Sequence, residues 1–199
     1  MSNKSLSETN RSTVPVEAKG RIGAQLQKGQ KFPESLVSNI HGQALRLPYE
    51  RTPWTHVQFR RFAGCPICNL HLQSFVKRND EVVAAGIKEV VVFHSNNDEL
   101  LPYQGNFPFD VIGDPKKELY GKYGVGTSLS AILSPGAWPA MVRGNLAKNK
   151  PKMPLMPNGG PLGLPADFLV SADGNVVEAH YGKHANDQWT VDALLAFAG

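Results

Sequence analysis

The two cysteines of this 199-residue chain enclose a proline and an isoleucine, as Cys65-Pro66-Ile67-Cys68. The motif lies where a strand pattern hands over to a helical one, and that position gives the spacing its chemistry. Both sulfurs fall in the first helical turn, where unpaired N–H groups and the helix dipole favour an anion. Cys65 is therefore expected to have a lowered pKa, and the thiolate is the reactive form of a cysteine. The spacing lets the second sulfur attack a disulfide or sulfenic acid formed on the first, so one site completes a redox cycle. Arg60 and Arg61 precede the motif and point to opposite faces of the strand, which leaves one of them to add positive charge near the site. Two other readings stay open on spacing alone. An inert buried pair has the same letters, and Cys65, Cys68 and His71 supply three zinc ligands with no evident fourth. His71 otherwise reads as a helix-surface residue.

The flanking patterns are those of an α/β fold. Val57 and Phe59 alternate with polar neighbours across residues 56–62 before Gly64 breaks the strand. From Pro66, Leu72, Phe75, Val76 and Val82 or Val83 recur at helical spacing until Gly86 ends the helix. Glu89-Val90-Val91-Val92-Phe93-His94 is a nearly continuous apolar run of the kind found in a buried parallel strand, with His94 a capping or loop residue at its end. A short helix over 97–103, a strand over 109–112 and a helix over 115–123, with Asp114 as turn or cap, follow. Strands over 167–171 and 176–180 flank a turn, and 189–198 makes a closing helix. Ahead of all these, 35–37 and 44–47 flank a turn-rich stretch and predict a β-hairpin. The sum is a central mixed sheet with helices on both faces, an N-terminal hairpin, and a long Pro/Gly-rich insertion at about 127–164.

Composition removes several classes. Two cysteines in 199 residues make no disulfide scaffold, and no apolar run reaches the ~18 residues needed to span a bilayer. The first twenty residues hold no apolar signal core, so a cytoplasmic, reducing setting is expected, where a cysteine pair is more often redox-active than structural. The net charge of +4 is unevenly placed. Residues 1–31 carry Lys4, Arg11, Lys19, Arg21, Lys28 and Lys31 against Glu8 and Glu17, and read as a basic, largely flexible tail ahead of a domain over 32–199. No Asp or Glu lies between Glu118 and Asp167, where Lys122, Arg143, Lys148, Lys150 and Lys152 fall. This basic insertion runs directly into Leu164-Pro165, so it is expected to fold over the mouth of the site and attract anionic substrates such as glutathione conjugates. Neither nucleic-acid nor membrane binding is indicated, and no cofactor motif or metal set is present: His180 and His184 are separated by Gly182 without a helix.

In combination, Phe59-Arg60-Arg61-Phe62-Ala63-Gly64-Cys65-Pro66-Ile67-Cys68-Asn69-Leu70-His71-Leu72, Val91-Val92-Phe93-His94-Ser95, Asp114-Pro115-Lys116-Lys117-Glu118-Leu119-Tyr120 and Leu164-Pro165-Ala166-Asp167-Phe168-Leu169-Val170 resemble the peroxiredoxin-like proteins of the alkyl hydroperoxide reductase and thiol-specific antioxidant group, within the thioredoxin superfamily. The resemblance spans about residues 32–199. It implies a thioredoxin-like fold, thiol-disulfide or peroxide chemistry at Cys65 and Cys68, a redox disulfide between them, and a thioredoxin-like or glutathione-based reductant. A homodimer is compatible with it. It also implies that Pro165 matches a cis-proline facing the cysteine pair, with Leu164 offering backbone groups to substrate. Typical members carry P-x-x-x-T-x-x-C. With Cys68 as the reactive residue, Arg61 and Cys65 occupy the Pro and Thr positions; with Cys65, Gln58 and Phe62 do. Neither register restores the peroxide-binding pair, whereas disulfide exchange with Cys65 attacking and Cys68 resolving lacks nothing. A non-catalytic redox sensor, in which the disulfide switches the shape of the basic segment, is the alternative from another class.

Overall fold

The computed structural model describes residues 23–127 and 162–199, with Pro139, Val142, Arg143, Leu146 and Gly160 between them. The chain opens on a hairpin because Asn39 closes a tight turn on itself: its Oδ1 accepts from the N–H groups of His41 and Gln43, each at 3.0 Å, and Gly42 adopts φ 80°. The strands so joined, β1 (Ser35–Ser38) and β2 (Ala44–Leu47), pair antiparallel as a separate two-stranded sheet.

The main sheet has the order β5-β4-β3-β6-β7. Its centre is β3 (Trp54–Arg60), which pairs in parallel with β4 (Ile87–Phe93), itself parallel to β5 (Asp110–Gly113). On the other side β3 pairs antiparallel with β6 (Ala166–Ser171), and β6 with β7 (Val176–Tyr181). The sheet is thus mixed. Val57, Phe59, Val90, Val92 and Phe168 project to the face covered by the hairpin and by the short α4 (Glu118–Lys122), through Tyr120 and Tyr123. The opposite face is covered by α1 (Pro66–Lys77), α2 (Asn79–Ala84), α3 (Asn97–Gln104) and α5 (Val191–Ala198), whose Leu72, Phe75, Val82, Leu100 and Leu194 are buried.

Two elements differ from the sequence expectation. The helix predicted from Pro66 to Gly86 is interrupted at Arg78 (φ −110°), whose side chain bonds Glu81 and Asp192. The helix predicted over 115–123 begins only at Glu118, because Lys117 takes φ 59° and the Asp114 carboxylate accepts from the N–H groups of Glu118, Leu119 and Tyr120. Asp114 is the predicted cap.

Residues 23–31, which the sequence reading places in the basic tail, lie along the body of the fold. Gly23 N–H donates to Gly121 O at 2.7 Å, Leu26 N–H to the Tyr181 hydroxyl at 2.7 Å and Gly29 N–H to Val176 O at 2.8 Å. The first 22 residues, and with them most of the expected tail, lie outside the described residues, as does nearly all of the basic insertion, including Lys148, Lys150 and Lys152.

Candidate active site

The cysteines occupy the first turn of α1. Pro66 opens the helix, where its missing N–H leaves no bond unmade, and Cys65 is the N-cap residue with an extended backbone. Its Sγ accepts from Cys68 N–H at 3.5 Å and from Arg61 Nη1 at 3.7 Å. The loop from β3 to this cap is fixed from below. Ala63 N–H donates to Ser95 Oγ at 3.0 Å and His94 N–H to Arg61 O at 3.1 Å, while Gly64, at φ 74°, turns the chain into the helix.

Both thiols are free, and both are only 1% exposed, packed with Phe62, Ile67, Leu72 and Ala185. Burial alone would raise the Cys65 thiol. The Cys68 thiol, the Arg61 guanidinium and the N–H groups of Cys68 and Ile67 outweigh it and bring Cys65 down to about 6. Cys68 moves the other way, held well above the ordinary thiol range by burial and by the negative charge of Cys65. The pair is therefore differentiated: a thiolate at the cap and a protonated thiol one turn behind it.

Of the two arginines, Arg61 is the one against Cys65. Arg60 lies under α1 within a buried polar cluster. Its Nη2 donates to Asp167 Oδ1 at 2.6 Å and to Gln58 Oε1, and approaches His71 Nε2 at 3.3 Å. His56 Nδ1 bonds Glu89 Oε2 at 2.8 Å, and Gln58 Nε2 donates to the other Glu89 oxygen at 2.5 Å. His71, expected at the helix surface, is half-buried and has its ring turned onto Arg60. Burial and the adjacent Arg60 charge lower it to about 3, so its imidazole is neutral with Nε2 as acceptor. The zinc alternative loses its third ligand to this arrangement. Among the described residues no group of three His, Cys, Asp or Glu side chains is arranged to hold a metal. His180 bonds Asp187 at 2.8 Å.

Leu164 and Pro165 lead into β6, and here the structure corrects the expectation of a cis-proline. The peptide bond before Pro165 is trans; the cis X-Pro bond among the described residues is Leu47–Pro48. The physical reason is pairing on both sides of an extended segment. Gly163 bridges Thr127, Leu164 N–H donates to Gly126 O at 3.2 Å, and Pro165 O accepts from Gly182 N–H at 2.9 Å, so a trans bond continues the line of β6. Leu164 N–H is engaged within the fold by that bond. A cleft of about 530 Å³ runs beside these residues, walled by Gly124, Val125, Gly126 and Gly182.

His94 is fully buried at the end of β4, its ring between Tyr120 at 5.6 Å and Phe62 at 6.3 Å. Its third neighbour explains Gly163: a Cβ there would stand 2.4 Å from His94 Nε2. Because the ring is enclosed, Gly163→Ala is expected to destabilise the protein by ~1–3 kcal/mol. An unchanged urea midpoint would refute that packing.

The comparisons agree with this architecture. A protein-family model described as AhpC/TSA antioxidant enzyme matches residues 71–184, more than half of the chain. The matched span starts just beyond Cys68, so the geometry above, not the match, places the cysteines. The fold is similar to that of peroxidoxin BcpB from Mycobacterium tuberculosis, with a TM-score of 0.65 at 13% identity over 87% of this chain and 97% of that one. It is also similar to a peroxiredoxin-like protein from Aquifex aeolicus (TM-score 0.61, 15% identity, 89% and 88% covered). Mycobacterium tuberculosis AhpC gives a TM-score of 0.61 at 14% identity, with 88% and 92% covered. No curated protein matches the chain. These structural likenesses describe a thioredoxin-like, peroxiredoxin-type fold, and the matched family model supplies the affiliation: the chain belongs to the AhpC/TSA antioxidant enzyme family of thiol-dependent oxidoreductases.

Proposed function

We propose that this protein reduces a disulfide or hydroperoxide by cycling Cys65 and Cys68 between dithiol and disulfide. The observation that carries the reading is the inequality of the two sulfurs: Cys65 Sγ receives Cys68 N–H and Arg61 at the N-terminus of α1, while Cys68 keeps its proton. With a disulfide, the Cys65 thiolate attacks one sulfur, a mixed disulfide forms and the other sulfur leaves as thiolate. Cys68 then loses its proton and attacks Cys65 Sγ, releasing the second half. With a hydroperoxide, the thiolate takes the distal oxygen and becomes a sulfenic acid, while the O–O bond breaks and the alkoxide leaves with a proton. Cys68 then displaces water. Either route ends in a Cys65–Cys68 disulfide, which a thioredoxin-like or glutathione-based dithiol system returns to the reduced state. Leu164 and Pro165, whose backbone is held by Gly126 and Gly182, line the cleft of about 530 Å³, which is the proposed place for substrate to approach.

Stopped-flow rates of the reduced protein with hydrogen peroxide and with a small disulfide test the reading and separate the two substrates. Second-order oxidation of the cysteine pair by one of them, followed by re-reduction and multiple turnovers, is the expected result. The deep burial of both sulfurs favours a second reading, a sensor that reacts once per equivalent of oxidant. Its signature is oxidation that neither a thioredoxin nor a glutathione system recycles. A cytoplasmic, reducing setting, where a cysteine pair is more often redox-active than structural, is the proposed location; no helix among the described residues is long and apolar enough to cross a membrane.

Arg61→Met removes the guanidinium from Cys65 Sγ and is expected to raise the Cys65 pKa by about one unit, a tenfold fall in thiolate below the new midpoint. Iodoacetamide alkylation against pH measures it, and an unmoved midpoint would show that the helix N-terminus alone stabilises the anion.

A further inference from the structure

We propose that Arg60 is a positioning residue for the cysteine site: its one buried guanidinium fastens β3, β6 and α1 where each enters the site, and so holds the neighbouring Arg61 against Cys65 Sγ. The inference rests on the reading of Cys65 as the attacking thiolate.

The Arg60 side chain is 0% exposed. Its Nη1 donates to Phe59 O at 3.0 Å and to Ala166 O at 3.3 Å. Its Nη2 donates to Asp167 Oδ1 at 2.6 Å and to Gln58 Oε1, and points at His71 Nε2 at 3.3 Å. Each partner adjoins a part of the site. Phe59 is the penultimate residue of β3, the strand that continues into Arg61. Ala166 directly follows Pro165. His71 lies one helical turn beyond Cys68, on the same face of α1.

The Arg61–Cys65 contact spans two elements, since Arg61 extends β3 and Cys65 caps α1. At 3.7 Å it depends on how α1 sits over β3, and the Arg60–His71 bond joins those two elements one turn along the helix. A planar fork with five donors can serve three elements at once, which a lysine ammonium on a flexible stem cannot. The charge is also accommodated. Asp167 faces both Arg60 and His56, whose Nε2 is 3.4 Å from Oδ1, and Glu89 holds the far side of His56 at 2.8 Å. Two cations stand against two carboxylates, so the fork is fixed in place and is not left seeking a counter-ion.

The test uses the full chain in a Cys68→Ser background, so that only Cys65 titrates, with near-UV circular dichroism confirming the fold. Arg60→Lys keeps the charge and loses the fork. We expect the midpoint of the Cys65 thiolate absorbance at 240 nm, and of iodoacetamide alkylation, to rise by about one unit, a roughly tenfold loss of thiolate below the midpoint. In an Arg61→Met background the same Arg60→Lys change is expected to move the midpoint little, because Arg60 acts through Arg61. His71→Leu, which removes the acceptor on α1 without altering charge, should shift the midpoint in the same direction by less, and it carries the test where Arg60→Lys fails to fold. An unmoved midpoint in a folded Arg60→Lys or His71→Leu protein overturns the proposal. So does a shift that persists in full without Arg61. The parent titration alone judges whether Cys65 is a low-pKa thiol, so failure of that reading and failure of the positioning role give different results.

Discussion

Cys65→Ser should abolish turnover with any disulfide or hydroperoxide, and Cys68→Ser should stop the reaction after one step, with half of a disulfide substrate trapped on Cys65 or, with a hydroperoxide, Cys65 left as a sulfenic acid. The asymmetry follows from the site's electrostatics. A thiol brought down to about 6 is mostly thiolate at neutral pH, whereas an ordinary thiol of pKa ~8.5 is only a few per cent ionised, a difference of ~30-fold in reactive species. With the Cys65 charge removed, burial is what still raises Cys68 in Cys65→Ser, so the remaining sulfur is protonated and enclosed and reacts more slowly than an ordinary exposed thiol. Intact-mass measurement after one equivalent of a small aromatic disulfide decides the matter. A single adduct on Cys65 in Cys68→Ser, and none in Cys65→Ser over the same interval, is the expected pair of results. An adduct of equal rate on Cys68 would reverse the assignment of attacking and resolving sulfurs.

The position of this chemistry was legible because it depends on local order. Val57 and Phe59 alternating ahead of Gly64, followed by Pro66 and an i, i+3, i+4 apolar pattern, place a strand, a turn and a helix N-terminus in that sequence, and the anion-favouring cap is a property of the helix start itself. Which arginine meets the sulfur was not legible: alternation separates Arg60 from Arg61, but it does not say which face of β3 lies under α1. The same alternation concealed the buried cluster. His56, Gln58 and Arg60 are the polar neighbours in that alternation, and because β3 is the central strand with helices over their face, these side chains are enclosed. The signal that could have found them is charge complementarity across elements. A strand covered on both faces that still carries His and Arg needs acids nearby. Glu89 and Asp167 are the acids on the flanking strands, with Gln58 opposite Asp167 and His56 opposite Glu89. Pro165 illustrates the opposite limit. Its isomer is decided by what pairs with residues 163–165, namely Gly126, Thr127 and Gly182, and these are distant in sequence.

That cluster makes the second large effect a matter of stability. Asp167 faces Arg60 at 2.6 Å and His56 at 3.4 Å, all three fully buried, so Asp167→Ala leaves two cations with only Glu89 to offset them. Removing one partner of a buried ion pair costs about 3–5 kcal/mol, a large part of a typical domain's stability, and urea unfolding should show it. A loss under ~1 kcal/mol would mean that water reaches the cluster. The wild-type pH profile carries the same information with opposite signs at its two ends. Burial alone would lower His56, but Glu89 and Asp167 outweigh it and hold the imidazole at about 9 in the folded state. A group raised on folding stabilises fully below its ordinary value near 6.5, and loses that contribution as pH climbs through 9. The loss is on the order of 3 kcal/mol between those limits. Burial would likewise raise Asp167; Arg60 and His56 reverse this and hold it well below the ordinary carboxylate range, so its contribution is present above about pH 4 and disappears as pH falls. The cluster therefore stabilises most between about pH 4 and 6.5. Trp189, stacked on His56 at 5.7 Å and bonded through its backbone N–H to Asp167 at 3.4 Å, reports on it directly. Its fluorescence should change with the alkaline titration of His56 near pH 9, and in Asp167→Ala, where His56 keeps only Glu89, that change should move to lower pH. A transition that stays at the same pH would show that Glu89 alone sets the imidazolium.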